Sequence, residues 1–169
     1  IVKSHLEKIF SGNVGLNPYS TAVSDIYQDL AGEAVFLGKG IYDVQAFHEV
    51  MENRLPDNRL LSHDLPESAY LRTGLSTDIE VFDDFPKTYI AYSKRNHRWT
   101  RGDWQIARWL LPSVPTANGK EKNPINFLSK WKIFDNLRRS FNPFFLTVFF
   151  ITGWFWLPGA AWLWTLLAF

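Results

Sequence analysis

An α/β domain followed by interfacial and transmembrane helices is the fold class this sequence predicts, on three observations. Short strand-like runs alternate with stretches of helical periodicity up to about residue 111. All 35 charged residues lie at or before Arg139, and residues 140–169 hold none. The uncharged run from Pro143 onward is rich in Phe and Trp, and it exceeds the ~20 apolar residues a single helix needs to cross a bilayer. Composition narrows the chemistry. Eighteen Lys and Arg against 17 Asp and Glu give a net charge of +1, which speaks against a nucleic-acid binder working by bulk charge. With no cysteine, disulfides, thiolate metal sites and cysteine nucleophiles are excluded.

The elements follow in order. Asn17-Pro18 and Ser20 make a turn and a candidate N-cap, and Ala22, Val23, Ile26, Tyr27 and Leu30 recur at helical spacing until Gly32. Residues 35–37 form a strand-like run into Gly38-Lys39-Gly40, and residues 46–51 read as helix. After the loop 54–58, Leu60-Leu61 leads into Ser62-His63-Asp64, and a helix over 65–73 is ended by Gly74. Residues 77–82 alternate polar and apolar, as a half-buried strand does. A helix is expected over 88–99, a break and N-cap at Gly102-Asp103, and a second helix over 104–111. Residues 112–124, with three prolines and mixed charge, read as a linker. Leu128, Trp131, Phe134, Leu137 and Phe141 recur every three or four residues, so 125–140 reads as an amphipathic interfacial helix, although a helix packed against the preceding domain shows the same stripe.

Residues 141–169 then read as transmembrane: one span over about 141–157, a turn at Pro158-Gly159, and a second span cut off at Phe169. Lys130, Lys132, Arg138 and Arg139 precede the span, which puts that flank and the polar domain in the cytoplasm. The chain starts at Ile1 and stops within an apolar run, as an internal piece of a longer protein would.

The candidate chemistry sits where elements end. Asp64 opens a helix after a short apolar approach. A carboxylate there suits the helix dipole as a cap, and it also has the reach of a general base on a substrate hydroxyl. Both readings stand at this point. Gln105, Arg108 and Trp109 lie at i, i+3 and i+4, on one helix face. Guanidinium, amide and indole together suit a diphosphate and a sugar ring, although basic-aromatic helices also pack on domains or lie on membranes. Gly38-Lys39-Gly40 has the look of a close-approach turn but lacks the spacing of a P-loop or dinucleotide fingerprint. The four histidines show no metal-ligand spacing, and no serine-nucleophile motif occurs.

An aspartate opening a helix, then Gln-x-x-Arg-Trp, then membrane spans, resembles the processive membrane glycosyltransferases of GT-A (Rossmann-like) fold. More closely, Asn17-Pro18-Tyr19, Gly38 to Val44 (GKGIYDV), Ser62-His63-Asp64-Leu65, Phe82 to Pro86 (FDDFP), His97 to Trp109 (HRWTRGDWQIARW) and Trp131 to Arg139 (WKIFDNLRR) resemble the glycosyltransferase domain of cyclic β-1,2-glucan synthases. The resemblance implies that residues 1–111 are the C-terminal part of a GT-A catalytic domain. It makes Asp64 the catalytic base, assigns Gln105, Arg108 and Trp109 to the donor diphosphate and the border of the acceptor channel, and puts Gly38, Lys39, Tyr42 and Asp43 on the acceptor side. The sequence departs from the pattern at Ala34, where Gly is expected, and at Pro66-Glu67-Ser68.

The implied activity is a hexosyltransferase that moves glucose from UDP-glucose to a growing β-1,2-glucan with inversion. A divalent metal (Mg²⁺ or Mn²⁺) is expected on carboxylates outside this chain, so the 169 residues alone are expected to be inactive and no metal ligand is assigned within them. Expected partners are UDP-glucose, the glucan acceptor, the lipid bilayer and a phosphorylase-like module of the same polypeptide, with no nucleic acid. The expected location is the bacterial inner membrane, with the catalytic part facing the cytoplasm. Two alternatives remain: a membrane glycosyltransferase making a different glucan or a glycolipid, and a non-catalytic membrane-anchored module that retains the scaffold.

Overall fold

The computed structural model describes residues 4–5, 26–36, 38–76, 78–79 and 85–168. Expectations at Asn17-Pro18-Tyr19, Ala22-Val23, Leu37 and most of 77–84 lie outside them. The elements in order are α1 (Ile26–Ala31), α2 (Val44–Met51), α3 (Asp64–Leu71), α4 (Tyr89–Ile106), a 3-10 turn (Ala107–Leu110), β1 (Ser113–Thr116), β2 (Gly119–Lys122), α5 (Phe127–Phe155) and α6 (Ala161–Leu166). The described residues are thus mainly helical with one antiparallel two-stranded sheet. The expected α/β alternation gives way accordingly. Val35 and Phe36 lie outside any strand, as do Leu60 and Leu61, the last of which is a bend.

The stretch expected as a linker, 112–124, is instead the β1–β2 hairpin, pairing Ser113 with Lys122 and Thr116 with Gly119. Its prolines do not prevent pairing, because a two-stranded ribbon leaves each strand one edge that needs no donor. Val114 is fully buried and anchors the hairpin on the core. Asn123 seals the return by donating from its Nδ2 to the carbonyls of Trp109 and Leu111.

The core gathers Leu65 from α3, Ile106 and Trp109 from the end of α4 and its 3-10 continuation, Val114, Ile125, and Ile133 and Leu137 from α5. The break expected at Gly102-Asp103 is absent: α4 runs unbroken from its Thr88 cap, whose Oγ1 accepts from Ala91 N. Gly102 serves packing there. A Cβ at that position would lie 2.5 Å from Ser62 Cβ and 3.1 Å from Ser62 N, so only glycine lets α4 lie against the segment entering Asp64.

The expected interfacial helix and first span are one helix, α5, capped by Asn126 accepting from Ser129 N. Its buried face is not the aromatic stripe but Ser129, Lys132, Ile133, Asp135 and Leu137. Lys132 Nζ donates to the carbonyls of Ala34 at 2.9 Å and Glu33 at 3.3 Å, which satisfies a buried ammonium with backbone oxygens. Trp131 and Phe134 stay about half exposed.

The transmembrane expectation is corrected. Among the described residues no helix is long and apolar enough to cross a membrane. From Ser140 to its end at Phe155, α5 rises only ~24 Å at 1.5 Å per residue, against ~30 Å of hydrocarbon, and its earlier turns are charged. Pro158-Gly159 does make the expected turn, with Gly159 at φ +109°. The chain then folds back as α6, whose Thr165 Oγ1 accepts from Trp154 Nε1 at 3.0 Å.

Candidate functional site

Two features meet at the corner where α3 begins and α4 ends. The first is the carboxylate of Asp64. It is the first residue of α3, where dipole and free N–H groups favour negative charge. The N-cap position belongs to His63, which makes no side-chain capping bond, so Asp64 lies inside the helix rather than capping it. Gly38, at φ +83°, brings its backbone against this carboxylate: a Cβ on Gly38 would lie 3.2 Å from Asp64 Oδ2. The structure therefore unites the expected base with the first residue of the expected acceptor segment.

The rest of that segment does other work. Asp43 Oδ1 accepts from Ala46 N at 2.9 Å and caps α2, and the exposed Tyr42 packs on the Phe47 ring at 4.9 Å between centroids. Lys39 is exposed.

The second feature is a cavity of about 420 Å³ at the end of α4. Gln105, Arg108 and Trp109 all line it, joined by Arg59, Arg101 and Trp104. The three motif residues divide their labour. Arg108 is exposed. Trp109 is fully buried, and its Nε1 donates to Tyr70 OH at 3.0 Å, which fixes the cavity floor to α3. Burial raises the Tyr70 hydroxyl above the usual phenol range, so it stays protonated, while the Trp109 bond pulls the other way. Gln105 Oε1 accepts from Leu61 N at 2.8 Å. That bond ties the cavity to the segment that delivers Asp64 three residues later, and it leaves the Gln105 amide nitrogen as the group able to serve a ligand.

His63 and Glu67 were missed as a pair, although their i, i+4 spacing was legible. His63 Nδ1 and Glu67 Oε1 share a hydrogen bond of 2.8 Å, and His63 Nδ1 lies 3.9 Å from Asp64 Oδ1. Burial pushes the Glu67 carboxyl up, His63 draws it back, and the Asp64 charge adds to the rise. Donor atoms of His63, Asp64 and Glu67 lie within 4.8 Å of one another, close enough to hold a cation. Such an ion would occupy the carboxylate assigned as base. Arg59 and Arg101 were not singled out: Arg59 reaches the cavity from a separate loop, whereas the i, i+4 spacing of Arg101 and Gln105 was legible.

No family model matches the chain. Over 164 residues it is 43% identical to the cyclic beta-(1,2)-glucan synthase NdvB of Rhizobium meliloti (strain 1021), a match that takes in 96% of this chain. The chain is similar to a segment of a cyclic β-1,2-glucan synthase. The resemblance read from the motifs is thereby borne out. The segment spans about 6% of that synthase's length.

Proposed function

We propose that this chain is part of an inverting glycosyltransferase of GT-A type that passes glucose from UDP-glucose to the end of a β-1,2-glucan. The observation that carries this reading is the Gln105–Leu61 hydrogen bond, which joins a cationic, indole-lined cavity to the segment bearing Asp64. Asp64 takes the proton from an acceptor hydroxyl as its oxygen attacks the anomeric carbon, and the nucleoside diphosphate leaves from the opposite face. Arg108 and the Gln105 amide meet charge growing on the leaving diphosphate, where a fixed donor acts most strongly. Gly38 opens room for a sugar hydroxyl beside Asp64.

A divalent cation would neutralise part of the diphosphate charge in the intact protein. The cavity has no carboxylate among its described lining residues, so it does not fit as that ion's cage, and no step here passes through the ion.

The test is Asp64→Asn in the full-length protein. The amide keeps the shape and cannot accept the proton, so transfer falls by ~10²–10⁴-fold while UDP-glucose affinity is retained. Wild-type turnover in this variant would remove Asp64 from the role. Absence of glucosyl transfer in the wild type would favour the scaffold-only alternative.

The same reading puts this chain at the cytoplasmic face of a bacterial inner membrane, with an exposed aromatic face against the lipid. Trp131 and Phe134 are half exposed near Lys130 and Arg138, and Phe144, Phe145, Trp154 and Phe155 continue as exposed apolar surface. Aromatic and basic residues on an exposed helix face suit the headgroup boundary. Phe144→Glu with Phe145→Glu lowers flotation with anionic vesicles several-fold, because a carboxylate at lipid depth is disfavoured. Unchanged flotation would refute lipid contact by this face.

A further inference from the structure

Three of the residues lining the cavity are arginines. Arg101, Gln105 and Arg108 follow at i, i+4 and i+7 along α4 and its 3-10 continuation, so they share one face. Arg59 joins them from the loop between α2 and α3. All three arginines are exposed, and no described residue lining the cavity is acidic.

Three arginines elsewhere each hold a carboxylate. Arg54 holds Glu121 at 3.0 Å, Arg72 holds Glu33 at 2.8 Å and Arg138 holds Asp135 at 2.8 Å. Among the described residues, Arg59, Arg101 and Arg108 have no ion-pair partner. Like charges converging on one concavity repel unless an anion comes between them. A guanidinium fork matches anionic oxygens two at a time, so three forks around about 420 Å³ suit a ligand with more than one phosphate.

We propose that Arg59 and Arg101 are binding residues which, with Arg108, form a three-guanidinium cradle for a diphosphate group. The proposal rests on the reading above that gives Arg108 to the leaving diphosphate. It extends that reading to two residues outside the Gln-x-x-Arg-Trp motif. Trp104, half exposed at the rim, offers an indole face to whatever ring the diphosphate carries.

The test titrates inorganic pyrophosphate into the full-length protein by calorimetry at fixed ionic strength. Wild type binds it more tightly than orthophosphate. Arg59→Gln and Arg101→Gln each weaken pyrophosphate by about tenfold, as expected for losing a charge-assisted hydrogen bond. Arg59→Lys and Arg101→Lys recover only part of the affinity, since a point charge replaces a fork. These lysine variants keep the charged stem and carry the test if a glutamine variant fails to fold. Lys94→Gln, earlier on α4 and outside the cavity, changes nothing.

Wild-type pyrophosphate affinity in the Arg59 and Arg101 variants would overturn the cradle. So would equal binding of orthophosphate, or equal weakening by Lys94→Gln, which would indicate a diffuse field. If the cradle behaves as expected but the wild type transfers no glucose from UDP-glucose, the cradle stands and the transferase reading falls. Transfer with unaltered pyrophosphate binding in the variants fails the cradle alone.

Discussion

Along α5 the first half and the second half meet their surroundings in opposite ways. From Phe127 to Leu137 the helix inserts Ile133 and Leu137 into the core and satisfies Lys132 with the carbonyls of Glu33 and Ala34. From Phe144 to Phe155 it packs mainly on α6, and Phe144, Phe145, Val148 and Ile151 stay exposed. What holds this second half is Gly153 and the Phe149 ring against the Trp164 side chain, with the Trp154–Thr165 bond beside them. The same helix thus supports a site at one end and offers an apolar surface at the other. Insertion of Ile133, Leu137 and Lys132 into the core marks the site-bearing half, and contact mainly with α6 marks the other.

Truncating a tryptophan on the neighbour of each half, the 3-10 turn and α6, gives the largest contrast. Trp109→Ala removes a fully buried indole and its bond to Tyr70, and it is expected to lower stability by about 3–5 kcal/mol. Trp162→Ala removes an indole that is 61% exposed, and it is expected to change stability by within ~0.5 kcal/mol. Urea unfolding followed by circular dichroism compares the two. Equal losses would mean that the apolar hairpin is as much part of the cooperative core as the site.

A methyl group added to a glycine near the site on α4, and to one in the second half of α5, gives the next contrast. Gly102→Ala drives a Cβ against Ser62, including its backbone nitrogen, and overpacking of that kind typically costs ~1–3 kcal/mol. α4 must retreat, which stretches the Gln105–Leu61 bond and separates the cavity from Asp64. Transfer should therefore fall along with stability, and adding Ser62→Gly should restore both only in part, because the backbone contact at 3.1 Å remains. Gly153→Ala meets Trp164 Cβ at 2.6 Å and should open the hairpin with turnover unchanged. Loss of turnover in Gly153→Ala would show that hairpin and site are coupled.

These contrasts also show which parts of the molecule were legible from residues alone. Asp64 at a helix start and Gln105 with Arg108 on one face were readable because they depend on local spacing. The role of Gly102 was not. Beside Asp103 it reads as a helix break, and only its contact with Ser62, forty residues earlier in the chain, makes it a packing residue. The linker over 112–124 failed for the same reason, since its pairing depends on Val114 reaching a core built by other elements. The stripe on α5 is split between two neighbours. Periodicity identifies an apolar face without saying what covers it, and here the core took Ile133 and Leu137 and left Trp131 and Phe134 half exposed. The membrane span failed on length, because Trp156 and Pro158 end the helix before the apolar run ends.

The smallest expected effect concerns Asp103, on α4 one residue after Gly102. Burial raises its carboxyl above the usual range, and the Coulomb attraction of Arg139, on α5, pulls it partly back. With the folded-state value raised, the native protein binds more protons than the unfolded chain between about pH 3.8 and the folded value. The Asp103 contribution is therefore fully present below the unfolded value and is lost as pH rises through the folded one. Asp103→Asn stays neutral throughout, so its stability relative to wild type should climb across that window and then level off. Glu67, also raised by burial, is common to both proteins and cancels in the difference. Arg139→Gln removes the opposing attraction, raises Asp103 further and should steepen the climb. Urea midpoints of wild type, Asp103→Asn and Arg139→Gln from acid to neutral pH provide the check. A flat difference between wild type and Asp103→Asn would show that the carboxylate between α4 and α5 is solvated, and that the two helices are not closed over it.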